Sequence, residues 1–241
     1  MLAAILAAAP ATAQDAAGDV MPAVVAAPAA DAPKGGLFGS LEFQGGRPET
    51  IPQWKRVLDR IREEREAYRL CDEDIARCQS PRMVAWRSKV RSLEGRFPLA
   101  QINEINAFIN KVVPYLSDGE SYGVSDMWAS PLEFLRNAGD CEDFAIIKYV
   151  SLLELGFAME DLRIVVLEDT LRNLPHAVLA VRIDGESHVL DSLFDVVLRD
   201  TQITQYIPQY SVNETTRWAH VVVPELRDAY YARSSRAGAE R

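Results

Sequence analysis

A cysteine, a histidine and an aspartate in the second half of the chain are residue types that perform nucleophilic acyl transfer. The cysteine, Cys141, stands where the turn-forming segment Asn137–Asp140 gives way to a long apolar helix. Unpaired amides and the positive dipole end of a helix start lower the pKa of a thiol, which favours the nucleophilic thiolate. The same amides can stabilise an oxyanion. The position is equally compatible with a small core residue, which is what most free cysteines are.

A predicted hairpin selects one histidine and one aspartate. Asp184-Gly185 lies between two apolar runs and is a strong signal for a two-residue turn. In that register Asp191 faces Val178, two residues along the strand from His176. His176 and Asp191 then project from one face of the sheet as diagonal neighbours, and His188 faces the other way. A three-residue turn would remove this pair, and only the tertiary fold can bring the pair to Cys141.

Three carboxylates surround the cysteine: Asp140, Glu142 and Asp143. Helix capping explains acidic residues at a helix start. However, like charges raise the pKa of a neighbouring thiol, and a hard cation would relieve that conflict. Calcium prefers carboxylate and carbonyl oxygens, although the spacing is not that of an EF-hand. Zinc is disfavoured, because Cys141 and the histidines lack close ligand spacing. From these residues alone, capping and calcium binding both remain open.

The first half of the chain is predicted to be helical. Apolar residues recur at three- and four-residue spacings across residues 51–116, and Pro52 stands near the start of the first helix. Two further amphipathic helices are predicted around Met83–Leu93 and Leu99–Tyr115. No internal repeat interrupts this pattern.

The centre of the chain changes from helix to strand. The helix that begins near Cys141 ends at Gly156, the position expected of a C′ glycine. Its polar positions form one narrow stripe that is predicted to face water: Lys148, Ser151 and Glu154. Strands are predicted at Arg163–Leu167, His176–Ile183 and Glu186–Leu190. Helices followed by a sheet indicate an α+β fold.

Composition excludes some classes of partner. The 241 residues are 48% hydrophobic and 25% charged, and the formal net charge is −9 without any basic cluster. Binding to nucleic acid or to anionic lipid depends on clustered Lys and Arg, so neither is expected. Residues 38–232 are long enough for a single domain with a sizeable core, followed by a polar tail at residues 233–241.

The N-terminus is predicted to direct export. Residues 1–13 form an apolar run that ends in Ala11-Thr12-Ala13, the small-x-small pattern of a signal-peptide cleavage site, although a positive n-region is missing. An Ala-rich disordered leader is the alternative interpretation. Residues 14–37 are rich in Ala and Pro and are predicted to be a disordered linker. No later apolar stretch is long enough to span a bilayer.

The cysteine count supports a special role for Cys141. In an oxidising compartment Cys71 and Cys78 could close a short loop; the alternative is two unpaired thiols at a helix end. Cys141 has no partner in either case, and an odd thiol in an exported protein calls for an explanation.

Several spaced motifs together resemble the bacterial transglutaminase-like cysteine proteinases. They are GDCEDFAIIKY, HAVLAV and LDSL, with DMWASPLEFL upstream and YSVNE downstream. Within that family the pattern is similar to the LapG-type periplasmic adhesin proteases. The resemblance runs from about Phe38 to Val223 and includes the Cys71/Cys78 pair. It implies a papain/transglutaminase-like fold, in which N-terminal helices and a central nucleophile-bearing helix pack on an antiparallel sheet.

The resemblance also implies a site. It assigns a catalytic triad of Cys141, His176 and Asp191, and a calcium ion held by Asp140 and Glu142, with Asp143 as a further candidate. Ser192 stands where the family often has asparagine, and we expect this to change a local turn only. Trp128, upstream of the nucleophile, would line the cleft or donate its indole N–H to the oxyanion; a core or rim tryptophan is the alternative.

The implied function is that of a periplasmic, calcium-dependent cysteine endopeptidase. It would cleave the N-terminal region of a large surface adhesin and release cells from a biofilm, and an inner-membrane receptor bound to cyclic di-GMP would sequester it. Two other functions fit the same residues. A transglutaminase or amidase would use the same triad and thioester acyl-enzyme, and a non-catalytic module would only dock to the receptor.

Overall fold

The computed structural model describes residues 36–239, with the backbone alone for 235–239. The predicted signal peptide and residues 14–35 of the predicted linker lie outside the described residues. Leu37, at the end of that linker, is buried in a short 3-10 turn, so the packed chain includes it. The final helix extends to Ala239 across most of the predicted polar tail.

Seven helices lie within the described residues. They are α1 (Pro52–Glu73), α2 (Pro81–Ser92), α3 (Pro98–Val112), α4 (Asp118–Ser121), α5 (Pro131–Asn137), α6 (Cys141–Glu154) and α7 (Pro224–Ala239). The first three reproduce the predicted N-terminal helices. Each opens with proline, whose fixed φ suits a helix start and whose missing N–H would have had no partner there. The central helix ends as predicted, with Gly156 at a φ of 90°.

The described chain also forms one antiparallel sheet of seven strands, of which β1 precedes α1 and the other six lie between α6 and α7. Its strands are β1 (Leu41–Gln44), β2 (Leu162–Asp169), β3 (Leu174–Ile183), β4 (Glu186–Leu190), β5 (Leu198–Arg199), β6 (Tyr206–Val212) and β7 (Arg217–Val221). Their spatial order is β1-β7-β6-β2-β3-β4-β5. Helices packed on an antiparallel sheet confirm the predicted α+β class.

The β3–β4 hairpin has the predicted register. Ile183 faces Glu186, and the pairing continues to Leu179 and Leu190. The two turn residues, Asp184-Gly185, have φ values of 51° and 81°, as a type I′ turn requires. Asp191 therefore leaves the sheet directly after the last paired residue of β4.

The main core lies between the helices and one face of the sheet, and α6 runs through it. A second, smaller core covers the opposite face and includes Phe38, Val178 and Tyr206. His176, Val178 and Asp191 share the parity of this second face, as the alternation of side chains along a strand requires.

The predicted solvent-facing stripe on α6 is confirmed only at Glu154, which is exposed, and is wrong at its other two positions. Lys148 and Ser151 are fully buried. The Ser151 hydroxyl accepts a hydrogen bond of 2.8 Å from Trp86 Nε1 of α2 and donates to the Ile147 carbonyl. Periodicity identified the polar stripe correctly, but α2 covers Ser151 and tertiary packing also buries Lys148. No helix in the described residues has the length and apolar character needed to cross a membrane.

Candidate active site

The turn between α5 and α6 fixes the position of Cys141. Ala138 ends α5 at a φ of 67°, a region that non-glycine residues rarely adopt. Gly139 follows, and a Cβ built there would lie 1.9 Å from Asp143 Oδ2, so a larger residue would displace the Asp143 side chain. Asp140 is the N-cap residue, but its side chain makes no capping hydrogen bond. Cys141 is then the first residue of α6, and its side chain is partly exposed.

The thiol of Cys141 lies against the edge of β3. The backbone N–H of Ala177 donates a hydrogen bond to the sulfur. The thiol donates to Glu142 Oε2 at 3.2 Å, and the Tyr115 side chain is also hydrogen-bonded to it. Because β4 ends at Leu190, opposite Leu179, β3 has no β4 partner at Ala177. The helix start occupies that open edge, next to the residue that follows His176.

His176 and Asp191 form a buried pair. His176 Nε2 lies 2.9 Å from Asp191 Oδ1, and the two residues are 3% and 1% exposed. This is the diagonal contact expected from the hairpin register. Since Asp191 occupies Nε2, Nδ1 is the ring nitrogen left to exchange a proton with a nucleophile.

Two further donors complete the surroundings of the Asp191 carboxylate. The Leu193 N–H donates to Oδ1 at 2.9 Å, and the Tyr206 hydroxyl donates to Oδ2 at 2.6 Å. Burial alone would raise the pKa of Asp191, but hydrogen bonds and charge from His176, with help from Tyr206 and Leu193, hold it below its usual range. Asp191 is therefore ionised and able to orient the imidazole.

Helix α3 holds the loop that carries Asp191. Asn110 Nδ2 donates to the Asp191 carbonyl at 2.9 Å and to the Phe194 carbonyl at 3.0 Å. Asn106 Nδ2 donates to the Phe194 carbonyl at 2.7 Å. Sequence reasoning missed these residues, although two asparagines four residues apart on the buried side of an amphipathic helix are a usable signal. Tyr206 gave no comparable signal.

Five carboxylates gather beside the thiol: Asp118, Asp126, Asp140, Glu142 and Asp143. Ligand atoms within each of two trios, Asp118/Asp126/Glu142 and Asp118/Asp140/Asp143, lie within 4.8 Å of one another. Asp118 is the first residue of α4 and Asp126 lies in the loop after that helix, and sequence reasoning missed both. The available signal was an acidic segment rich in turn residues before the nucleophile. The segment lies many residues from Cys141 along the chain, so the sequence did not reveal its contact with the carboxylates at the start of α6.

The carboxylate oxygens fit a hard cation. Asp118 Oδ1, Asp140 Oδ1 and Asp143 Oδ2 are buried, and none has a hydrogen-bond partner among the described residues. Burial, followed by the hydrogen bond and charge of Glu142, raises the pKa of Asp140 to about 8. The pKa values of Asp118 and Asp143 are also raised, by burial first. Converging buried carboxylate oxygens without donors are the ligand set that calcium prefers.

The same carboxylates act on the nucleophile. Burial raises the pKa of the Cys141 thiol, and the negative charges of Glu142 and Asp140 raise it further, while the Ala177 N–H opposes them. The conflict inferred from the sequence is therefore present: the dipole of α6 favours a thiolate, and the neighbouring carboxylates oppose it.

Two other residues considered in the sequence lie away from the thiol contacts. Trp128 is 5% exposed and packs edge-on against Trp54 in the main core, with ring centroids 6.3 Å apart. This packing favours a core role, and its role at an oxyanion stays a prediction. His188 pairs with Val181 on the opposite face from His176, and burial lowers its pKa.

Comparison with known proteins identifies the family. Residues 63–225 match the family model described as the bacterial transglutaminase-like cysteine proteinase BTLCP. The chain belongs to this family. The protein is therefore a cysteine peptidase with an α+β fold. No curated protein gave a significant match.

Solved structures with a similar fold are consistent with the assignment. LapG of Legionella pneumophila is 30% identical, with a TM-score of 0.56, covering 70% of this chain and 96% of LapG. A calcium-bound LapG structure is 31% identical, with a TM-score of 0.53 and coverages of 64% and 89%. An EGTA-treated LapG structure is 29% identical, with a TM-score of 0.56 and coverages of 70% and 96%.

Proposed function

We propose that the chain is a calcium-dependent cysteine endopeptidase in which Cys141 is the nucleophile, His176 the base and Asp191 the orienting group. One observation carries this proposal. The Cys141 sulfur accepts the N–H of Ala177, and the preceding residue on the same strand is bound through its ring to Asp191. These contacts place the nucleophile against the strand that carries the base and its orienting partner, which supports the arrangement that acyl transfer requires.

The mechanism follows from these contacts. His176 takes the proton of Cys141 through Nδ1, and Asp191 stabilises the imidazolium through Nε2. The sulfur attacks the peptide carbonyl carbon, and the π electron pair moves to oxygen, where amides at the start of α6 stabilise it. The tetrahedral intermediate collapses as the leaving amine takes the proton from His176. Water, deprotonated by His176, then hydrolyses the thioester and regenerates the thiol.

Calcium would be held by carboxylates on both sides of the nucleophile. Asp118, Asp140, Glu142 and Asp143 are the proposed ligands, three of which have buried oxygens without donors. When bound, the cation supplies positive charge that offsets carboxylate repulsion at the nucleophile. The Ala177 N–H and the α6 amides act in the same direction on the thiol, and they belong to the chain itself.

The substrate, location and partner are proposed from the sequence resemblance. We propose that the proteinase acts in the periplasm, cleaves the N-terminal region of a large surface adhesin and thereby releases cells from a biofilm. A cyclic di-GMP receptor of the inner membrane would sequester it.

The test uses the purified chain with calcium, an N-terminal fragment of a large surface adhesin from the same organism, and a labelled amine. We expect cleavage without incorporation of the amine, and no cleavage by Cys141→Ala. Incorporation of the amine would instead identify a transglutaminase. Binding to the receptor without cleavage by the wild-type chain would identify a docking module. Circular dichroism of Cys141→Ala would establish that the variant remains folded.

A further inference from the structure

Tyr115 reaches the nucleophile from the segment that follows α3. Its backbone forms a parallel β-bridge with Gly139, and the Leu116 N–H donates to the Gly139 carbonyl at 2.9 Å. This bridge ties the segment to the turn that begins α6. The bridge therefore fixes the backbone of Tyr115 beside Gly139, which lies two residues before Cys141.

The side chain of Tyr115 is held from a second direction. Its ring stacks on Phe144, one turn along α6 from Cys141, with ring centroids 6.0 Å apart and an interplanar angle of 20°. The hydroxyl makes a hydrogen bond with the Cys141 side chain. The residue is nevertheless 52% exposed. Tyr115 is therefore an exposed aromatic residue that is fixed at both its backbone and its ring. Its hydroxyl contacts the sulfur of Cys141, so the residue lies at the mouth of the site.

We propose that Tyr115 is a catalytic residue of this proteinase, whose hydroxyl donates a hydrogen bond to the oxyanion formed when Cys141 attacks a peptide carbonyl. The inference rests on the proposed function and deepens it. It assigns to Tyr115 the side-chain donor role that the sequence suggested for Trp128, which the structure packs in the core.

The geometry of the reaction supports this role. The new bond joins the Cys141 sulfur to the carbonyl carbon, and the π electron pair moves to the carbonyl oxygen. That oxygen is bonded to the same carbon, so it lies roughly 3 Å from the sulfur, within reach of a group that already contacts the thiol. The Cys141 N–H, at the start of α6, supplies a second donor from the chain.

The hydroxyl also keeps the proton it must donate. Burial raises the pKa of Tyr115 above the usual value of a tyrosine, which is about 10. The phenol therefore remains neutral throughout the pH range in which a cysteine peptidase works. Hydrogen bonds to a developing oxyanion are strongest in the transition state, so their loss should reduce kcat more than it raises KM.

Tyr115→Phe removes the hydroxyl and keeps the ring on Phe144. We expect kcat for peptide cleavage to fall about 10²- to 10³-fold with little change in KM, as for loss of one oxyanion donor. Alkylation of Cys141 by iodoacetamide forms no oxyanion, so its rate should stay within about twofold of wild type. Binding of a peptide aldehyde, which forms a tetrahedral adduct on the thiol, should weaken by about the same factor as kcat.

Tyr231→Phe is the matched control. Tyr231 lies on α7, and its hydroxyl donates to the Ile203 carbonyl at 2.9 Å. We expect this variant to behave as wild type in all three assays. Comparing the two variants separates loss of a phenol at the thiol from loss of a phenol elsewhere.

Three results would overturn the proposal. Equal losses of cleavage and alkylation in Tyr115→Phe would assign the hydroxyl to thiolate stabilisation only. Faster alkylation and faster cleavage would identify it as a cap on the resting thiol. Unchanged cleavage and aldehyde binding would leave it without a catalytic role. The aldehyde assay needs no cleavable substrate. If the wild-type chain binds the aldehyde but does not cleave the adhesin fragment, the substrate proposal is refuted. Aldehyde binding by Tyr115→Phe would still test the role of Tyr115 in that case.

Discussion

Tyr206 donates a hydrogen bond of 2.6 Å to Asp191 Oδ2 from the first residue of β6, and both side chains are buried. In the sheet, β2 and β3 lie between β6 and the hairpin strand that precedes Asp191. The tyrosine therefore reaches across the second face of the sheet to the carboxylate. The other oxygen of that carboxylate holds His176, so Tyr206 fixes the residue that orients the base.

Tyr206→Phe should lower activity through Asp191. Losing a hydrogen bond to a buried carboxylate costs about 1.5–3 kcal/mol, and if that loss is felt in the transition state kcat falls by roughly 10- to 100-fold. The pKa of Asp191 should rise, because one group that lowers it is gone. The measurement is kcat against pH, in which the acidic limb should move to higher pH.

Tyr210→Phe, on the same strand, gives the comparison for Tyr206→Phe. Tyr210 is partly buried beside the main core. An unchanged pH profile in Tyr206→Phe, together with a lower melting temperature, would mean that the hydroxyl only stabilises the fold.

His176 and His188 provide a test of the hairpin register. His176→Ala should abolish cleavage, because the base is lost, with a fall of roughly 10³-fold or more. His188→Ala should keep nearly full activity, since His188 pairs with Val181 on the opposite face. Initial rates on the adhesin fragment measure both. Inactivity of His188→Ala with activity of His176→Ala would contradict the proposed base.

The hairpin shows which part of the site is local in sequence. Two turn residues fixed the pairing, and the pairing fixed the contact between His176 and Asp191. The start of α6 was equally local, because Gly139 and Asp140 break one helix and begin the next. These features depend on backbone geometry over a few residues.

Tertiary contacts set the rest of the site. Asp118 meets Asp143 only because the segment after α3 returns to the start of α6, and no local pattern encodes that return. Lys148 illustrates a second limit. Its spacing with Ser151 identified a polar stripe, but whether water or a neighbouring helix covers a stripe depends on packing elsewhere.

Calcium removal should inactivate the proteinase without unfolding it. Excess EGTA is expected to abolish cleavage and leave the far-UV circular dichroism unchanged, because the proposed calcium site is local and the packed core is formed by apolar residues. Asp118→Asn should weaken calcium binding by about tenfold or more in titration calorimetry, since a buried ligand oxygen loses its charge.

Glu104→Gln is the control for Asp118→Asn. Glu104 is an exposed carboxylate on α3 that pairs with Lys89, and its loss should leave calcium affinity unchanged. Full activity of the wild type in excess EGTA would refute the metal requirement. Unchanged calcium affinity in Asp118→Asn would remove that residue from the ligand set.

The Cys71–Cys78 disulfide should contribute stability and no chemistry. It joins the end of α1 to the turn before α2 and closes a loop with a sequence separation of 7. Loop-closure entropy for a ring of this size predicts a loss of about 2–3 kcal/mol in the free energy of unfolding when both cysteines become serine. Urea denaturation measures this loss, and kcat should be unchanged. A fall in kcat without a fall in stability would contradict the purely structural role.

Lys148 should make stability depend on pH. Burial lowers its pKa from 10.5 to about 7, with Asp191 and Asp195 opposing the shift. Between these two pKa values the unfolded chain binds a proton that the folded chain has released, so the free energy of unfolding rises with pH across this window. Below pH 7 the folded state carries a buried ammonium whose Nζ has no hydrogen-bond partner among the described residues.

Lys148→Met removes the titrating group and keeps an unbranched side chain of similar length. We expect the variant to gain stability relative to wild type at about pH 6, and this advantage to shrink at about pH 9, where the wild-type amine is mostly neutral when folded. Urea denaturation at the two pH values measures the difference. Lys111→Met, at a lysine whose side chain is 68% exposed, is the control and should change stability little at either pH. An equal effect of Lys148→Met at both pH values would mean that Lys148 does not change its charge on folding.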